Sequence, residues 1–212
     1  MHSKLQHRGL YAITDGPRPG LLEAVAQALS GGARIVQYRD KTTDSARRHA
    51  EAAALQQLCI SRGAPLIIND DVALAIAIGA DGVHLGEKDS DLAAARIALG
   101  AQAIIGVSCY DSLERARTLA AAGADYVAFG AFFPSPTKPH ARRASPELLW
   151  QSAALGVPRV AIGGITPDNG ASLVEAGADF LAVISAVFGA TDVEAAALRF
   201  TDLYLPSSGT PR

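Results

Sequence analysis

Asp70 and Asp89 each stand just beyond a short apolar run, "PLIIN" and "GVHLG" respectively. Two carboxylates brought to one point, with water and phosphate oxygens completing an octahedron, are what Mg²⁺ prefers. A plainer use stays open beside this one. Asp71 suits the start of the helical segment "VALAIAIG", and Asp89 competes with Ser90 and Asp91 for the start of "DLAAARIALG". The segment "RIVQYRDK" places Gln37, Arg39 and Lys41 at every second position. On a strand these side chains share a face. An amide and two cations on one face make a receptor for an anion; the alternative is a strand fraying into water. Lys138 lies in the longest loop, "PSPTKPHARRAS" (134–145), beside the hydroxyls of Ser135 and Thr137. Such a loop is either a lid over a site or a solvated, proline-stiffened connection. Arg142 and Arg143 are assigned to solvent. In "AIGGIT" (161–166), Gly163 and Gly164 precede a helix opening, "PDNGASLVEAG". Backbone N–H groups and a helix N-terminus there suit a phosphate; the alternative is a tight turn. Ile184 and Ser185 hold the matching place after the last apolar run. His84 reads as a satisfied core histidine, and Trp150 as helix-to-barrel packing. No Ser-His-Asp or Cys-His arrangement is evident.

These groups need elements that deliver them to one place. A repeat supplies them: "SGGARIVQY", "AIGADGVHL", "AAGADYVAF" and "EAGADFLAV" each join a helix end to an apolar run through Gly-Ala and usually Asp. Eight strands are expected, at 10–14, 34–38, 65–69, 82–86, 103–108, 126–132, 159–164 and 180–185. Ala- and Leu-rich segments of helical periodicity lie between them. Strict alternation of strand and helix over this length predicts a (β/α)8 TIM barrel, with a doubly wound open sheet as the competitor. In that barrel, sites form where the strands end. Gln37, Asn69, Asp70, Ser108 and the Gly163-Gly164 pair all stand at those ends. Residues 1–212 read as a single domain with a disordered tail over about 206–212.

Composition narrows the function. Apolar residues make up 49% of 212, which supports a sizeable core. A net charge of −2 argues against a nucleic-acid partner. Cys59 and Cys109 match no metal spacing and read as core thiols of a cytoplasmic protein. No apolar run is long enough for a bilayer, and the first residues lack a secretory pattern.

The segments "LYAITD", "QYRDK", "LIINDDVALAIAIGADGVHLG", "GVSCY", "FGAFFPSPTK" and "AIGGITPDN…GADFLAVISA" together resemble the thiamine phosphate synthase family, in the family's order and over nearly the whole chain. The resemblance implies a transferase of thiamine biosynthesis. It would join 4-amino-5-hydroxymethyl-2-methylpyrimidine diphosphate to 4-methyl-5-(2-phosphoethyl)thiazole, or its carboxylate, releasing diphosphate with Mg²⁺ as cofactor. Carried onto this chain, it makes Gln37, Arg39, Lys41, Asn69, Ser108 and Lys138 contacts to the pyrimidine diphosphate. Tyr38 and Asp40 join them at the pocket mouth, where backbone groups also bind. Arg39, Lys41, Ser108 and Lys138 are the candidate catalytic residues. Ser135, Pro136, Thr137, Gly164, Ile184 and Ser185 would hold the thiazole phosphate, and Asp70 and Asp89 the metal. Two departures stand out. The loop reads Ser135-Pro136-Thr137-Lys138 where Thr-x-Thr-Lys is common, and Glu87 replaces a common Gln. The partners implied are small molecules, with neither nucleic acid nor membrane; a homo-oligomer fits equally. Two alternatives carry over: a thiazole tautomerase-like isomerase of the same fold, and a non-catalytic barrel that binds a phosphate ligand.

Overall fold

A computed structural model describes residues 2–86, 91–134 and 142–205. Asp89, Glu87, the loop residues Ser135, Pro136, Thr137 and Lys138, and the expected tail at 206–212 therefore lie outside the described residues.

The chain opens with a 3-10 turn, Ser3–Leu5, then β1 (Gly9–Ile13), α1 (Leu21–Ser30), β2 (Ile35–Tyr38), α2 (Ser45–Arg62) and β3 (Leu66–Asn69). It continues through α3 (Val72–Ile78), β4 (Gly82–Leu85), α4 (Leu92–Leu99), β5 (Ile104–Tyr110), α5 (Leu113–Ala121) and β6 (Tyr126–Gly130). A short α6 (Glu147–Gln151) precedes β7 (Arg159–Ile162), α7 (Pro167–Glu175), β8 (Phe180–Val183), α8 (Ser185–Phe188) and α9 (Val193–Asp202). The eight strands pair in parallel and in sequence order, and β8 closes on β1. This is the expected (β/α)8 barrel.

Alternation along the strands divides the core in two. Tyr11, Ile13, Ile35, Ile67, Ile104, Tyr126, Val160 and Phe180 pack inside the barrel. Leu10, Ala12, Val36, Leu66, Ile68, Val83, Val107, Phe129 and Leu181 pack outward against the helices. Leu5 belongs to the inner cluster. Its turn is tied to residues just before β4 and β5, because Lys4 pairs with Asp81 and His2 bonds the Gln102 carbonyl. Leu5 therefore closes the N-terminal mouth and leaves the C-terminal mouth for chemistry.

The helix-to-strand repeat has a physical basis. Asp81, Asp125 and Asp179 each turn a carboxylate back onto a backbone N–H in the first two residues of the preceding strand. The acceptors sit 2.8 Å from Leu66 N, 2.8 Å from Ile105 N and 2.9 Å from Arg159 N. Gly79, Gly123 and Gly177 ahead of them adopt positive φ, which glycine tolerates best. Trp150 departs from its expected packing role: it is 57% exposed. On the brief α6, Leu149 takes the core-facing position instead.

Candidate active site

The end of β2 sets the site. Gln37 pairs in register with Ile13 and Ile67 and is buried inside the barrel. Tyr38, one residue on, faces outward: its hydroxyl donates to Glu51 Oε2 of α2 at 2.7 Å. Burial and then Glu51 push that phenol well above its ordinary range. The strand stops at Tyr38, as the expected span 34–38 has it, so Arg39 and Lys41 lie beyond the strand whose alternation they continue in the sequence. Asp40 organises the segment that follows. Its side chain has no solvent exposure, accepts Arg47 at 2.7 Å, and takes the Thr42 N–H at 2.8 Å. Burial alone would raise the Asp40 carboxyl, but the Thr42 N–H and Arg47 outweigh it and hold it below its ordinary value. Arg47 also bonds Glu51 at 3.0 Å and Thr42 Oγ1 at 2.6 Å. On the other flank, the Arg39 N–H donates to Thr14 Oγ1 at 2.8 Å. The segment carrying Arg39 and Lys41 is thus pinned on both sides.

Lys41 reaches the end of β3, where its Nζ lies 3.4 Å from Asp70 Oδ2. Asn69 Nδ2 donates to the same oxygen at 2.6 Å. Asp70 has φ +63°, a left-handed conformation that Asp adopts more readily than most residues. Its N–H donates to the His84 carbonyl at 2.9 Å, which ties the ends of β3 and β4 together. Asp71 is otherwise engaged, as expected of a helix cap: it accepts from Leu74 N at 2.9 Å and pairs with Arg48 at 2.8 Å. Lys41, Asn69 and Asp70 line an open cleft of about 490 Å³ together with Asp40, Thr42 and Arg48.

Inside the mouth, five side chains form one hydrogen-bonded chain. Gln37 Nε2 donates to Tyr11 Oη at 2.6 Å, and Tyr11 Oη lies 2.8 Å from Tyr126 Oη. Tyr126 Oη lies 2.9 Å from His84 Nδ1, and His84 Nε2 lies 2.9 Å from Ser108 Oγ. His84 also stacks on the Tyr126 ring at 5.6 Å. It is the satisfied histidine expected, yet it belongs to the site rather than to an apolar core. Sequence alone gives no role to Tyr11, Tyr126 or Arg47. The inward parity shared by Tyr11, Gln37 and His84 was the available signal for the first two. Arg47 becomes legible only once Asp40 is known to turn toward α2.

At the far side, Gly163 and Gly164 have φ +104° and +65°. Both must be glycine. A Cβ would stand 2.4 Å from Ala131 Cβ at the first and 2.5 Å from the Pro134 carbonyl oxygen at the second. Residues 131–134 fold onto the end of β7, with Phe133 N donating to Gly163 O at 3.0 Å. The start of α7 is organised by Asn169, whose Oδ1 accepts from Thr166 N at 2.9 Å while its Nδ2 donates to Gly164 O at 3.1 Å. Ile184 caps α8 and Ser185 begins it, at the end of the strand that neighbours β7. Gly164, Ile184 and Ser185 therefore share one corner of the mouth. Arg142 lies over the Tyr110 ring at 4.6 Å and Arg143 donates to the Phe132 carbonyl at 3.4 Å, so neither is merely solvated.

A family model described as thiamine monophosphate synthase matches residues 10–187. A thiamine-phosphate synthase of Xanthomonas campestris pv. campestris is 59% identical over 190 residues, covering 89% of this chain and 92% of the relative. One from Nitrosococcus oceani is 53% identical over 209 residues, covering 97% and 96%. Among solved structures, a thiamine phosphate pyrophosphorylase from Pyrococcus furiosus superposes with a TM-score of 0.84 at 37% identity, covering 94% and 95% of the two chains.

Proposed function

The chain belongs to the thiamine monophosphate synthase family and is a transferase that makes thiamine phosphate; from that premise we propose its substrates, its metal and the residues that carry the reaction. The substrates are a 4-aminopyrimidine methyl diphosphate and a thiazole ethyl phosphate, free or carboxylated. Gln37, Arg39, Lys41, Asn69, Ser108 and Lys138 take the first. Ser135, Pro136, Thr137, Gly164, Ile184 and Ser185 take the second. Tyr38 and Asp40 turn their side chains toward α2, so their part is to hold the segment and offer backbone groups. The observation that carries this reading is the convergence of Gln37, Lys41, Asn69, Asp70 and Ser108 at the C-terminal ends of β2, β3 and β5.

The described donors at the cleft fit Mg²⁺. Asp70 offers a partly exposed carboxylate at the cleft, beside a lysine that a diphosphate would draw away. Among the described residues no three His, Cys, Asp or Glu side chains gather as a metal group. Asp70, Asp89 and ligand oxygens would then share the ion, as Mg²⁺ favours. When bound, Mg²⁺ supplies charge to the leaving diphosphate. Arg39, Lys41 and Lys138 neutralise the same developing charge as the C–O bond to diphosphate breaks. The aminopyrimidine releases electrons into its exocyclic carbon, and the thiazole nitrogen, held by its phosphate anchor, captures that carbon. The bond-forming step requires neither a covalent enzyme intermediate nor a protein base. We place the protein in the cytoplasm, a reading supported by two buried free thiols, whose pKa burial pushes up to about 12. No helix among the described residues is long and apolar enough to cross a membrane.

The test is turnover of both substrates by wild type, Asp70→Ala and Lys138→Ala. Both variants should lose about a hundredfold or more in kcat. Unchanged turnover in either would remove that residue from diphosphate loss.

A further inference from the structure

The chain Gln37–Tyr11–Tyr126–His84–Ser108 joins two residues proposed as pyrimidine contacts through three that have no assigned part. It crosses the inner mouth from β2 to β5 by way of β1, β6 and β4. Tyr11 and Tyr126 are at most 1% exposed and Gln37 is 2% exposed. Burial pushes both phenols above their ordinary range, so each hydroxyl keeps its single proton. The barrel makes room for this arrangement: a Cβ on Gly106 would stand 1.8 Å from Tyr126 Cζ. An alanine there would displace the ring that links the two halves.

Counting protons gives the chain a direction. Gln37 Nε2 donates to Tyr11, so the Tyr11 proton goes to Tyr126. The Tyr126 proton then goes to His84 Nδ1, which must be unprotonated. His84 is left with its proton on Nε2, donated to Ser108 Oγ. The Ser108 proton, the Gln37 Oε1 lone pairs and the second Gln37 Nε2 proton remain for a ligand. Reversing one link requires reversing them all, because each hydroxyl has one proton to give.

We infer that Tyr11, Tyr126 and His84 are positioning residues that fix the orientation of the Gln37 amide, leaving its Oε1 to accept, and keep Ser108 as a donor toward the pyrimidine substrate. An aminopyrimidine presents an amine N–H and ring nitrogen lone pairs, the complement of those two ends. The coupling selects for that pattern: a ligand that needs the Gln37 amide turned over must reverse all four hydrogen bonds and forfeit the Ser108 proton. This deepens the proposed function and rests on its reading of Gln37 and Ser108 as pyrimidine contacts.

The experiment has two parts. In the free wild-type protein, ¹⁵N NMR of labelled histidine, assigned with His84→Gln, should find the His84 proton on Nε2; a proton on Nδ1 overturns the polarity. In steady-state kinetics, Tyr126→Phe should raise KM for the pyrimidine diphosphate about tenfold, leave KM for the thiazole phosphate within about twofold, and abolish the single His84 tautomer. Tyr11→Phe breaks the chain one link earlier. It should raise the same KM while His84 keeps its tautomer, and it decides the matter if Tyr126→Phe does not fold. Both KM values unchanged in the folded variants would overturn the coupling. A wild type that makes no thiamine phosphate would defeat the proposed function, whereas the tautomer measurement would still stand or fall by itself.

Discussion

Asp70 is held in a backbone conformation that costs an ordinary L-residue about 1–2 kcal/mol. The strain sits where its carboxylate meets Lys41 and Asn69, so structure and chemistry make separate demands on one position. Two substitutions separate them. Asp70→Ala and Asp70→Gly both remove the carboxylate and should lose activity alike. Urea unfolding should nevertheless find the glycine variant more stable by about 1 kcal/mol, because glycine accepts positive φ. Equal stability would mean that the conformation costs nothing. Asp40 makes a prediction about pH. Its folded carboxyl lies below the ordinary value of 3.8, so its stabilising charge is fully present above that value and is lost as pH falls through the lower folded one. Asp40→Asn should be less stable than wild type at neutral pH by about 1–3 kcal/mol. The gap should narrow below about pH 4. A gap independent of pH would contradict the buried ion pair. At this scale the sequence was legible in part. The residue types at 37, 39, 41 and 70 pointed to an anion, but the burial of Asp40 depends on Arg47 seven residues later in another element.

Elements do two jobs in this barrel, and different residues serve each. At the N-terminal ends, Asp81, Asp125 and Asp179 fasten strands to their neighbours. Asp125→Ala removes the acceptor for the Ile105 N–H and the partner of Arg96. It should cost about 1–3 kcal/mol in chemical denaturation and leave kcat and both KM values unchanged. A kinetic effect would show that the two ends communicate. At the C-terminal ends, the first turn of α2 serves the site by presenting Arg47 to Asp40, Thr42 and Glu51. Arg47→Ala should raise KM for the pyrimidine diphosphate several-fold through loosening of Arg39 and Lys41, with KM for the thiazole phosphate unchanged. A fall in kcat with both KM values intact would place Arg47 elsewhere in the reaction. The Gly-Ala-Asp repeat announced the strands because it recurs at fixed places. β2 ends at Tyr38, where the expected strand 34–38 ends, but periodicity cannot register the side-chain capture of Thr42 N–H that shapes the segment beyond it.

At the scale of the molecule, sequence patterns led directly to the barrel. Apolar strands alternate with amphipathic helices, and parallel order leaves few topologies. The closed sheet delivers Gln37, Asn69, Asp70, Ser108, Gly164 and Ser185 to one mouth, although nearly 150 residues separate the first from the last. What stayed illegible was the interior chain through Tyr11 and Tyr126, since two tyrosines on apolar strands look like filling until parity places their hydroxyls opposite each other. The mouth as a whole gathers cations and a carboxylate where a diphosphate would leave, and the account stands on that departure being assisted by Mg²⁺. The direct measurement is to incubate the purified protein with pyrimidine diphosphate and thiazole phosphate and to follow thiamine phosphate and diphosphate together, with Mg²⁺, with EDTA, and with Mg²⁺ restored. The account predicts equal amounts of both products with Mg²⁺, none with EDTA, and recovery on restoration. Product formation indifferent to EDTA, or isomerised thiazole in place of thiamine phosphate, would contradict it.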